Sequence, residues 1–439
     1  MSELNPFILL KERRFLPLFC TQFLGAYNDN LFKNALIILI AFSATSTAQN
    51  TDTLINVCAG LFIVPFFIFS AMAGQLADKY EKAKLIRYIK FAEICLVILA
   101  SLGFYFDNLW ILMTSLFLLG AQATFFGPIK YSILPQHLHE SELLNGNGLI
   151  EMGTFMAILL GTISGGILIA LQSAGPEWVS AALILVALLG FASSLFIPRA
   201  TAYVPGLKLN WNPWNQTVDI VRAAFQNRVV FHSIIGVSWF WMYGSLFIIQ
   251  IANYTKLILG GNEHVVTLLL TTFSVGIGVG SVLCAKLSHK KVEMGLVLLG
   301  SMGLSIFACD LSFANSPLPK TMLDVNEFLQ YGQNWRIIFD AFWMGAFGGF
   351  YVVPLYTLLQ IRSKPEKRSR VIAANNILNA LGMTIASLFA IFFLNNGFTI
   401  PELFLCTSIL NAVVAVYLCT FVREFLTGFI AWIRNFYRK

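Results

Sequence analysis

Twelve apolar runs, each about twenty residues long, constrain the fold of this chain more than any other feature. A helix of about 20 apolar residues is long enough to cross a hydrocarbon core about 30 Å thick. Hydrophobic residues make up 57% of the 439 residues and charged residues only 12%, which excludes an ordinary soluble enzyme. The sequence therefore predicts an all-α polytopic membrane protein with 12 transmembrane helices. The predicted spans are 15–43, 54–76, 84–104, 108–129, 143–171, 177–197, 229–257, 264–287, 291–311, 335–360, 370–395 and 401–423.

The basic residues predict how the chain is oriented in the membrane. Lys11, Arg13 and Arg14 precede the first span, and most of the 29 Lys and Arg residues lie in or next to every second loop. Positive residues favour the cytoplasmic side, so an even number of spans places both termini in the cytoplasm. The net charge of +7 then belongs to loops that face anionic lipid, and no nucleic-acid partner is expected.

The spacing of the spans divides the chain into four predicted parts. Residues 1–197 and 229–423 each form a six-helix bundle. Residues 198–228 form a cytoplasmic linker, in which Trp214 to Phe225 can make an amphipathic helix at the membrane surface. Residues 424–439 form an amphipathic cytoplasmic tail that combines aromatic and basic residues. A monomer is expected.

Several kinds of chemistry have no support in the sequence. The seven cysteines are scattered without a C-x-x-C spacing, and the chain has five histidines, so neither a metal site nor a disulfide framework is predicted. The phosphate-binding pattern G-x-x-x-x-G-K-[ST] is not found, which argues against direct use of ATP. We expect no cofactor and no enzymatic activity.

The loop after the second span carries a recognisable motif, Gly74-Gln-Leu-Ala-Asp78-Lys79-Tyr-Glu-Lys82-Ala-Lys84. It resembles the G-x-L-A-D-[RK]-x-x-[RK] loop of the major facilitator superfamily. Gly74 permits close helix approach, and Asp78 can accept hydrogen bonds from the start of a neighbouring helix. The resemblance implies two six-helix bundles that alternate access to a central site. The predicted gating residues are Gly74, Asp78, Lys79 and Lys82, together with Pro354 as a helix kink.

Further motifs narrow the resemblance to the bacterial lysophospholipid transporter family. They lie at Gln22 to Asn30, Phe126 to Leu134, Asn147 to Gly166, Gly348 to Leu355, Leu358 to Gln360 and Ala374 to Asn376. The chain is also similar to a transporter module that some bacteria fuse to an acyltransferase and an acyl carrier protein synthetase. The resemblance implies transport of lysophosphatidylethanolamine-type lipids from the outer to the inner leaflet of the bacterial inner membrane. Membrane lipids and a cytoplasmic acyltransferase are the implied partners.

The first half offers candidate ligands for a charged headgroup. Gln22 and Asp29 share one helical stripe with Lys33, and Tyr27 and Asn30 lie beside it. Asp29 suits a lipid ammonium, although it could instead pair with Lys33, four residues away. Lys130 can reach either a phosphate or Glu151. Glu151 itself could be a headgroup ligand, a gate partner or a proton-titrating group.

The second half offers mostly neutral candidates. Trp239, Tyr243 and Gln250 recur on one face of the seventh span, although an aromatic stripe is more often helix packing than a ligand site. The tenth span adds Tyr351, and the eleventh adds Asn375 and Asn379. Two pairs at helical spacing, Lys90 with Glu93 and Arg336 with Asp340, are predicted to be structural ion pairs.

Two alternative functions remain open at this point. The first is a transporter of the same fold for a water-soluble solute, exporting a drug or siderophore or importing a metabolite. Such a cargo predicts a polar cavity closed towards the membrane, whereas a lipid predicts a lateral opening lined by Phe and Leu. The second is a membrane platform for an acyltransferase. Whether protons drive transport is also open.

Overall fold

The computed structural model describes residues 5–41, 48–171, 174–288, 292–314 and 321–437. Within these residues the chain forms sixteen α-helices and three short 3-10 helices. The α-helices are α1 (Leu16–Ala41), α2 (Ala48–Lys79), α3 (Lys82–Tyr105), α4 (Leu109–Ser132), α5 (Leu134–His137), α6 (Leu143–Ile169), α7 (Gly175–Leu195), α8 (Pro213–Phe225), α9 (Arg228–Leu257), α10 (Glu263–Leu287), α11 (Gly295–Ser312), α12 (Val325–Phe328), α13 (Gly332–Arg362), α14 (Arg368–Asn395), α15 (Ile400–Phe421) and α16 (Arg423–Tyr437).

Twelve of these helices coincide with the twelve predicted spans. Ten are both long and apolar enough to cross a membrane by length and composition. The other two, α1 and α3, have 26 and 24 residues and carry charged residues in their middle turns. At 1.5 Å per residue they also exceed the thickness of the hydrocarbon core. The predicted all-α membrane architecture is confirmed.

Side-chain caps explain where several of the long helices begin. Glu81 accepts hydrogen bonds from backbone N–H groups in the first turn of α3, and Asn108, Asn227 and Asn262 do the same for α4, α9 and α10. Thr399 and Glu402 form a capping box at the start of α15. Each cap satisfies backbone donors that have no partner inside the helix. These starts are therefore encoded locally.

The same packing pattern occurs in both halves of the molecule. In each six-helix bundle the first long helix packs on the fifth, the second on the fourth, and the third on the sixth. Glycines permit equivalent close approaches. A Cβ at Gly120 of α4 would lie 2.6 Å from the Phe62 carbonyl oxygen of α2, and Gly345 of α13 faces the Phe273 carbonyl of α10 in the same way. The two six-helix bundles predicted from the sequence are confirmed.

The two ends of the molecule differ in how the halves meet. We call the end with the N-terminus, the α2–α3 turn, the linker and α16 the basic end, and the other the opposite end. One apolar core joins the two halves: its first-half members, such as Phe15, Ile150 and Phe155, lie towards the basic end. Its second-half members run the length of that half, from Val237 and Leu355 to Leu403 at the opposite end. Towards the opposite end, the first half has its own core around Leu31, Phe104, Leu116 and Leu183, whose described members all belong to that half.

The linker contains the predicted helix and packs at the basic end. Helix α8 covers the interval predicted at Trp214 to Phe225, and Ile220 packs with Ala71 of α2 and with Ala374 and Ile377 of α14. The Gln75 side chain exchanges two hydrogen bonds with the Asn210 backbone, at 3.1 and 3.0 Å. The linker therefore contacts both halves. The exact division at residues 197, 228 and 423 stays a prediction.

Candidate functional site

A buried aromatic bridge, formed by Tyr131, Tyr356, Trp241 and Phe155, joins the two halves near the basic end. Tyr131 of α4 stacks on Tyr356 of α13, with ring centroids 4.2 Å apart and planes 6° from parallel. Trp241 of α9 donates to the Tyr356 hydroxyl at 3.0 Å and stacks on Phe155 of α6 at 6.0 Å. Glu151 accepts from the Tyr131 hydroxyl at 2.5 Å. The bridge therefore links a buried carboxylate to both halves.

Three polar residues of the first half adjoin this bridge. Thr154 of α6 donates to Gln22 of α1 at 3.1 Å, and Lys130 of α4 reaches the Thr154 hydroxyl at 3.4 Å. The Lys130 ammonium also lies 4.6 Å from the centre of the Tyr131 ring and interacts electrostatically with Glu151. Gln22, Lys130 and Glu151, which are far apart in sequence, thus meet in one place.

Asp29 belongs to a second, neighbouring set of charges within the first half. The buried Lys90 and Glu93 of α3 form an ion pair at 2.6 Å, and Gln122 and Asn28 donate to Glu93 at 2.8 and 3.3 Å. Asp29 interacts electrostatically with both members of that pair. The prediction of a Lys90–Glu93 pair is confirmed.

Asp29 and Lys33, the alternative pair, interact electrostatically without the close contact of an ion pair. No ion pair in the described part of the chain joins the two, and the Lys33 ammonium lies 5.4 Å from the centre of the Phe62 ring. The Asp29 atom Oδ1 is enclosed and has no hydrogen-bond partner among the residues that the structure describes. Of its predicted neighbours, Asn30 donates back to the Ala26 carbonyl of its own helix at 2.8 Å, and Tyr27 is half-buried.

The predicted aromatic stripe of α9 is directed into the second half. Trp239 donates to Asn411 of α15 at 2.7 Å, and the Tyr243 hydroxyl donates to the Leu304 carbonyl of α11 at 2.9 Å. Both contacts are with helices on the outer side of that bundle, as expected for packing residues. Trp241, which lies off the stripe, and its neighbour Phe240 contact the other half, both through Phe155 of α6.

The remaining candidates of the second half are buried amides and hydroxyls. Asn379 accepts from Ser238 of α9 at 3.0 Å, and Asn375 lies beside Tyr356 of the aromatic bridge. Gln250 and Tyr351 are buried within the second half. The role of these four residues in substrate binding stays a prediction.

Half of the twelve predicted binding residues have a buried polar atom without a hydrogen-bond partner in the described part of the chain. Such atoms are uncommon in folded proteins, and each calls for a specific explanation, such as a role in ligand binding. They are Gln22 Nε2, Asp29 Oδ1, Glu151 Oε2, Gln250 Oε1, the Tyr351 hydroxyl and both amide atoms of Asn375. Four of these residues, Gln22, Asp29, Glu151 and Asn375, lie at or next to the aromatic bridge and the Asp29 charges. This region is the candidate site.

A polar latch, formed by Asp78, Ser369, Arg370 and Ser132, closes the basic end. Asp78 of α2 accepts from the Ser369 backbone N–H at 3.2 Å and from Arg370 Nε at 2.9 Å, both in the first turn of α14. The Ser369 hydroxyl also donates to Ser132 of α4 at 3.0 Å. The expected contact between Asp78 and the start of a neighbouring helix is therefore present, across the two halves.

The other predicted gating residues have different surroundings in the structure. A Cβ at Gly74 would lie 2.8 Å from the Cβ of Ala373, so only glycine allows α2 and α14 to approach this closely. Lys82 is buried, with its ammonium 4.8 Å from the centre of the Tyr203 ring, and Lys79 lies over Tyr80 at 5.7 Å. Pro354 is buried inside the uninterrupted helix α13. Their gating roles stay predictions.

Sequence reasoning missed a second set of cross-half hydrogen bonds. Asn147 of α6 donates to Thr357 and Gln360 of α13 at 3.0 and 2.8 Å, and Gln360 donates to the Tyr131 carbonyl at 3.1 Å. Asn147 and Gln360 stand in motifs that carried the family resemblance. Because both are polar residues within apolar spans, the sequence did indicate that each needs a hydrogen-bond partner.

One predicted ion pair is corrected by the structure. Arg336 of α13 does not take Asp340 as its hydrogen-bonding partner among the described contacts. It makes two hydrogen bonds to Asp310 of α11, through Nε at 2.8 Å and through Nη2. Asp310, on the neighbouring helix, accepts two parallel hydrogen bonds from the guanidinium group. Asp340, four residues along the same helix as Arg336, does not offer this bidentate geometry.

Comparison with known proteins identifies the superfamily. The sequence profile of the Major Facilitator Superfamily matches residues 18–387 and 242–429. The chain belongs to this superfamily and is a multi-pass membrane transporter.

The predicted resemblance to bacterial lysophospholipid transporters is also confirmed. Lysophospholipid transporter LplT of Klebsiella pneumoniae is 27% identical over 368 residues, covering 81% of this chain and 82% of the relative. LplT of Escherichia coli O157:H7 is 27% identical over 357 residues, covering 78% and 79%. LplT of Serratia proteamaculans gives 27% over 366 residues, with 81% and 82% covered.

Solved structures of other transporters share the fold. The human organic anion transporter MFSD10 superposes with a TM-score of 0.70 at 12% identity, over 96% of this chain and 99% of that one. A double-Trp variant of XylE gives a TM-score of 0.71 at 13% identity, over 97% and 99%. At such low identities the comparison concerns the fold alone.

Proposed function

We propose that this protein moves lysophospholipids of the phosphatidylethanolamine type from the outer to the inner leaflet of the bacterial inner membrane. The observation that carries the proposal is the set of buried polar atoms at or beside the aromatic bridge, at Gln22, Asp29, Glu151 and Asn375, that have no hydrogen-bond partner among the described residues. The curated relatives named lysophospholipid transporter, which align with about four fifths of the chain, support the choice of cargo. Movement then follows alternating access of the two halves.

The orientation follows from the distribution of basic residues. With both termini in the cytoplasm, the basic end faces the inner leaflet, and the latch and the aromatic bridge close the cytoplasmic side. The separate core of the first half at the opposite end leaves the two bundles joined mainly at their cytoplasmic ends. This arrangement corresponds to a transporter that receives its cargo from the outer leaflet.

The candidate site offers partners for both charges of a zwitterionic headgroup. Asp29, with its unpartnered Oδ1, accepts the ammonium. Lys130, close to Thr154 and Gln22, is placed to bind the phosphate. Removing a lipid headgroup from water requires such partners, because an uncompensated charge in a low-dielectric site is costly. The single acyl chain can stay in the apolar space between the bundles and enter it sideways from the membrane.

The test follows leaflet movement in liposomes that contain the purified protein. Fluorescent lysophosphatidylethanolamine is the probe, and the diacyl lipid is the comparison. We expect selective movement of the single-chain lipid, and a fall of about 10- to 100-fold in rate for Asp29→Ala, the size expected for losing a hydrogen bond to a charged group. Glu177→Ala, which removes an exposed carboxylate from the first turn of α7, is the matched control and should leave the rate unchanged.

Two outcomes would contradict the proposal. Movement no faster than in empty liposomes, with and without a proton gradient, would favour a water-soluble cargo, and a screen of drugs, siderophores and metabolites would follow. Equal movement of single-chain and diacyl lipid would show that the protein does not select lysophospholipids. A dependence on the imposed proton gradient would establish ion coupling without changing the cargo.

A further inference from the structure

A continuous groove runs along the outer surface of the second half, away from the candidate site. It lies between α11 and α15, and α16 borders it at the basic end. Its two parts have volumes of about 780 and 1030 Å³ and share the lining residues Ser305, Ile306 and Ala412. Helix α11 has 18 residues, and therefore a length of about 27 Å, so the groove extends over most of one membrane thickness.

The groove faces the lipid rather than the interior of the protein. Ile306 of α11 and Ile409 of α15, which both line it, are each 57% exposed. Its floor is formed by small residues such as Ser305 and Ala412, and its lining is mostly apolar. A narrow apolar slot between two adjacent helices, open to the membrane, is suited to a single hydrocarbon chain.

A charged cluster lies in the wider part of the groove, at the opposite end. It contains Asp310, Arg336 and Asp340, which all line the cavity. Arg336 binds Asp310 through Nε and Nη2, and the hydrogen bonds of the described residues do not involve its Nη1. Asp340 is 1% exposed, and its Oδ2 has no hydrogen-bond partner in the described ranges of the chain. With two carboxyl groups to one guanidinium, the cluster is complementary to a ligand that carries a cation.

Aromatic residues mark the depth of this cluster in the membrane. Trp335 and Phe339 of α13 and Phe313 after α11 border the cavity, and all three are exposed. Exposed Trp side chains concentrate at the level of lipid headgroups. A headgroup at this level would meet the charged cluster directly, while its chain would run along the groove towards Ser305 and Ala412.

We infer that this groove is a docking site for a single-chain, amine-bearing phospholipid from the leaflet at the opposite end. The ammonium binds Asp340, the phosphate binds Arg336, and the acyl chain lies between α11 and α15. The inference rests on the proposed function and deepens it, since the site would hold the cargo lipid at the protein surface before it reaches the space between the halves. Loss of the groove should then raise KM more than it lowers kcat.

The experiment maps where the lipid binds. Purified protein in phosphatidylglycerol liposomes is labelled with lysophosphatidylethanolamine that carries a photoreactive diazirine in its chain, and the labelled residues are identified by mass spectrometry. We expect labels on α11 near Met302 and on α15 near Ala412. Asp340→Asn should lower groove labelling about tenfold, as for the loss of one charge-assisted contact.

A matched pair of variants tests the groove without touching the charges. Ala412→Phe fills the shared middle of the groove and should abolish labelling there. Val413→Phe adds the same ring at the next residue of α15, which is exposed and does not line the cavity, and should leave labelling unchanged. Both positions are at the surface, so neither change should affect folding. Labelling spread evenly around the protein, or unaffected by Ala412→Phe, would overturn the inference.

Competition and transport separate this inference from the proposed function. Unlabelled lysophosphatidylethanolamine should displace the probe, whereas diacyl phosphatidylethanolamine and amine-free lysophosphatidylglycerol should not. Equal displacement by the diacyl lipid would show an ordinary lipid contact and overturn the inference. Localised labelling in a protein that moves no lipid would leave the docking site standing and remove the proposed function. If Ala412→Phe left both KM and transport unchanged, the proposed function would stand and the docking site would be overturned.

Discussion

The two halves share one helix packing pattern but differ in the polar chemistry of their interiors. The first half encloses charges, with Lys90 and Glu93 both 1% exposed and Asp29 and Lys33 nearby. In the second half the contacts that join α9, α15 and α11 are made by neutral groups, as where Asn411 joins Trp239 to α11, and the buried carboxylate of Asp340 lies beside the outer groove. Because buried charges in a membrane are costly, they are expected where a function requires them. In the proposed function, recognition of the charged headgroup therefore falls mainly to the first half.

The largest expected effect comes from breaking the buried ion pair of the first half. Glu93→Ala leaves the Lys90 ammonium without its partner and should destabilise the protein by about 3–5 kcal/mol. The free energy of unfolding in mixed micelles, from titration with a denaturing detergent, measures this. The double variant Lys90→Met, Glu93→Leu removes both charges and should recover most of the loss. If Glu93→Ala alone were neutral, the pair would not be a structural element of the first half.

A smaller effect is expected from opening the latch between the halves. Asp78→Ala removes hydrogen bonds from Arg370 and from the Ser369 backbone, worth about 1.5–3 kcal/mol when charged groups take part. Hydrogen exchange at the end of α2 and the start of α14 should therefore speed up by about 10- to 100-fold. Asp310→Ala, which removes an exposed carboxylate bound to Arg336 at the opposite end, is the control. Unchanged exchange in Asp78→Ala would exclude a latch.

The smallest effect is expected in the neutral interior of the second half. Trp239→Phe keeps an aromatic ring and removes one hydrogen bond to Asn411, so it should cost about 0.5–1.5 kcal/mol. The transport rate should be unchanged, because this side chain is directed away from the other half. Trp241→Phe, two residues along the same helix, removes the bond to Tyr356 in the aromatic bridge and should slow transport. Equal rates in both variants would contradict the division of roles on α9.

Particular residues show how far the sequence could predict the site. Gln22, Lys130 and Glu151 are polar side chains in or beside apolar spans, where such groups need partners, and they do converge. The α9 stripe was less informative, since a helical period identifies a face without showing what that face meets. Trp239 and Tyr243 turned out to face their own half, while Trp241 reached the other. Tyr356 belongs to no helical stripe of polar or aromatic residues that the sequence pattern picked out.

The sequence by itself determined the twelve long helices, the basic end and the position of the Gly74–Lys82 loop. These features depend on local properties: the length of an apolar run, the capping residue before it and the charges beside it. Only the tertiary structure decided which side chains meet, as when Arg336 bonds to Asp310 on α11 and Asp78 bonds to the start of α14. Such partners are chosen by the rotation and spacing of packed helices, and those depend on the whole bundle.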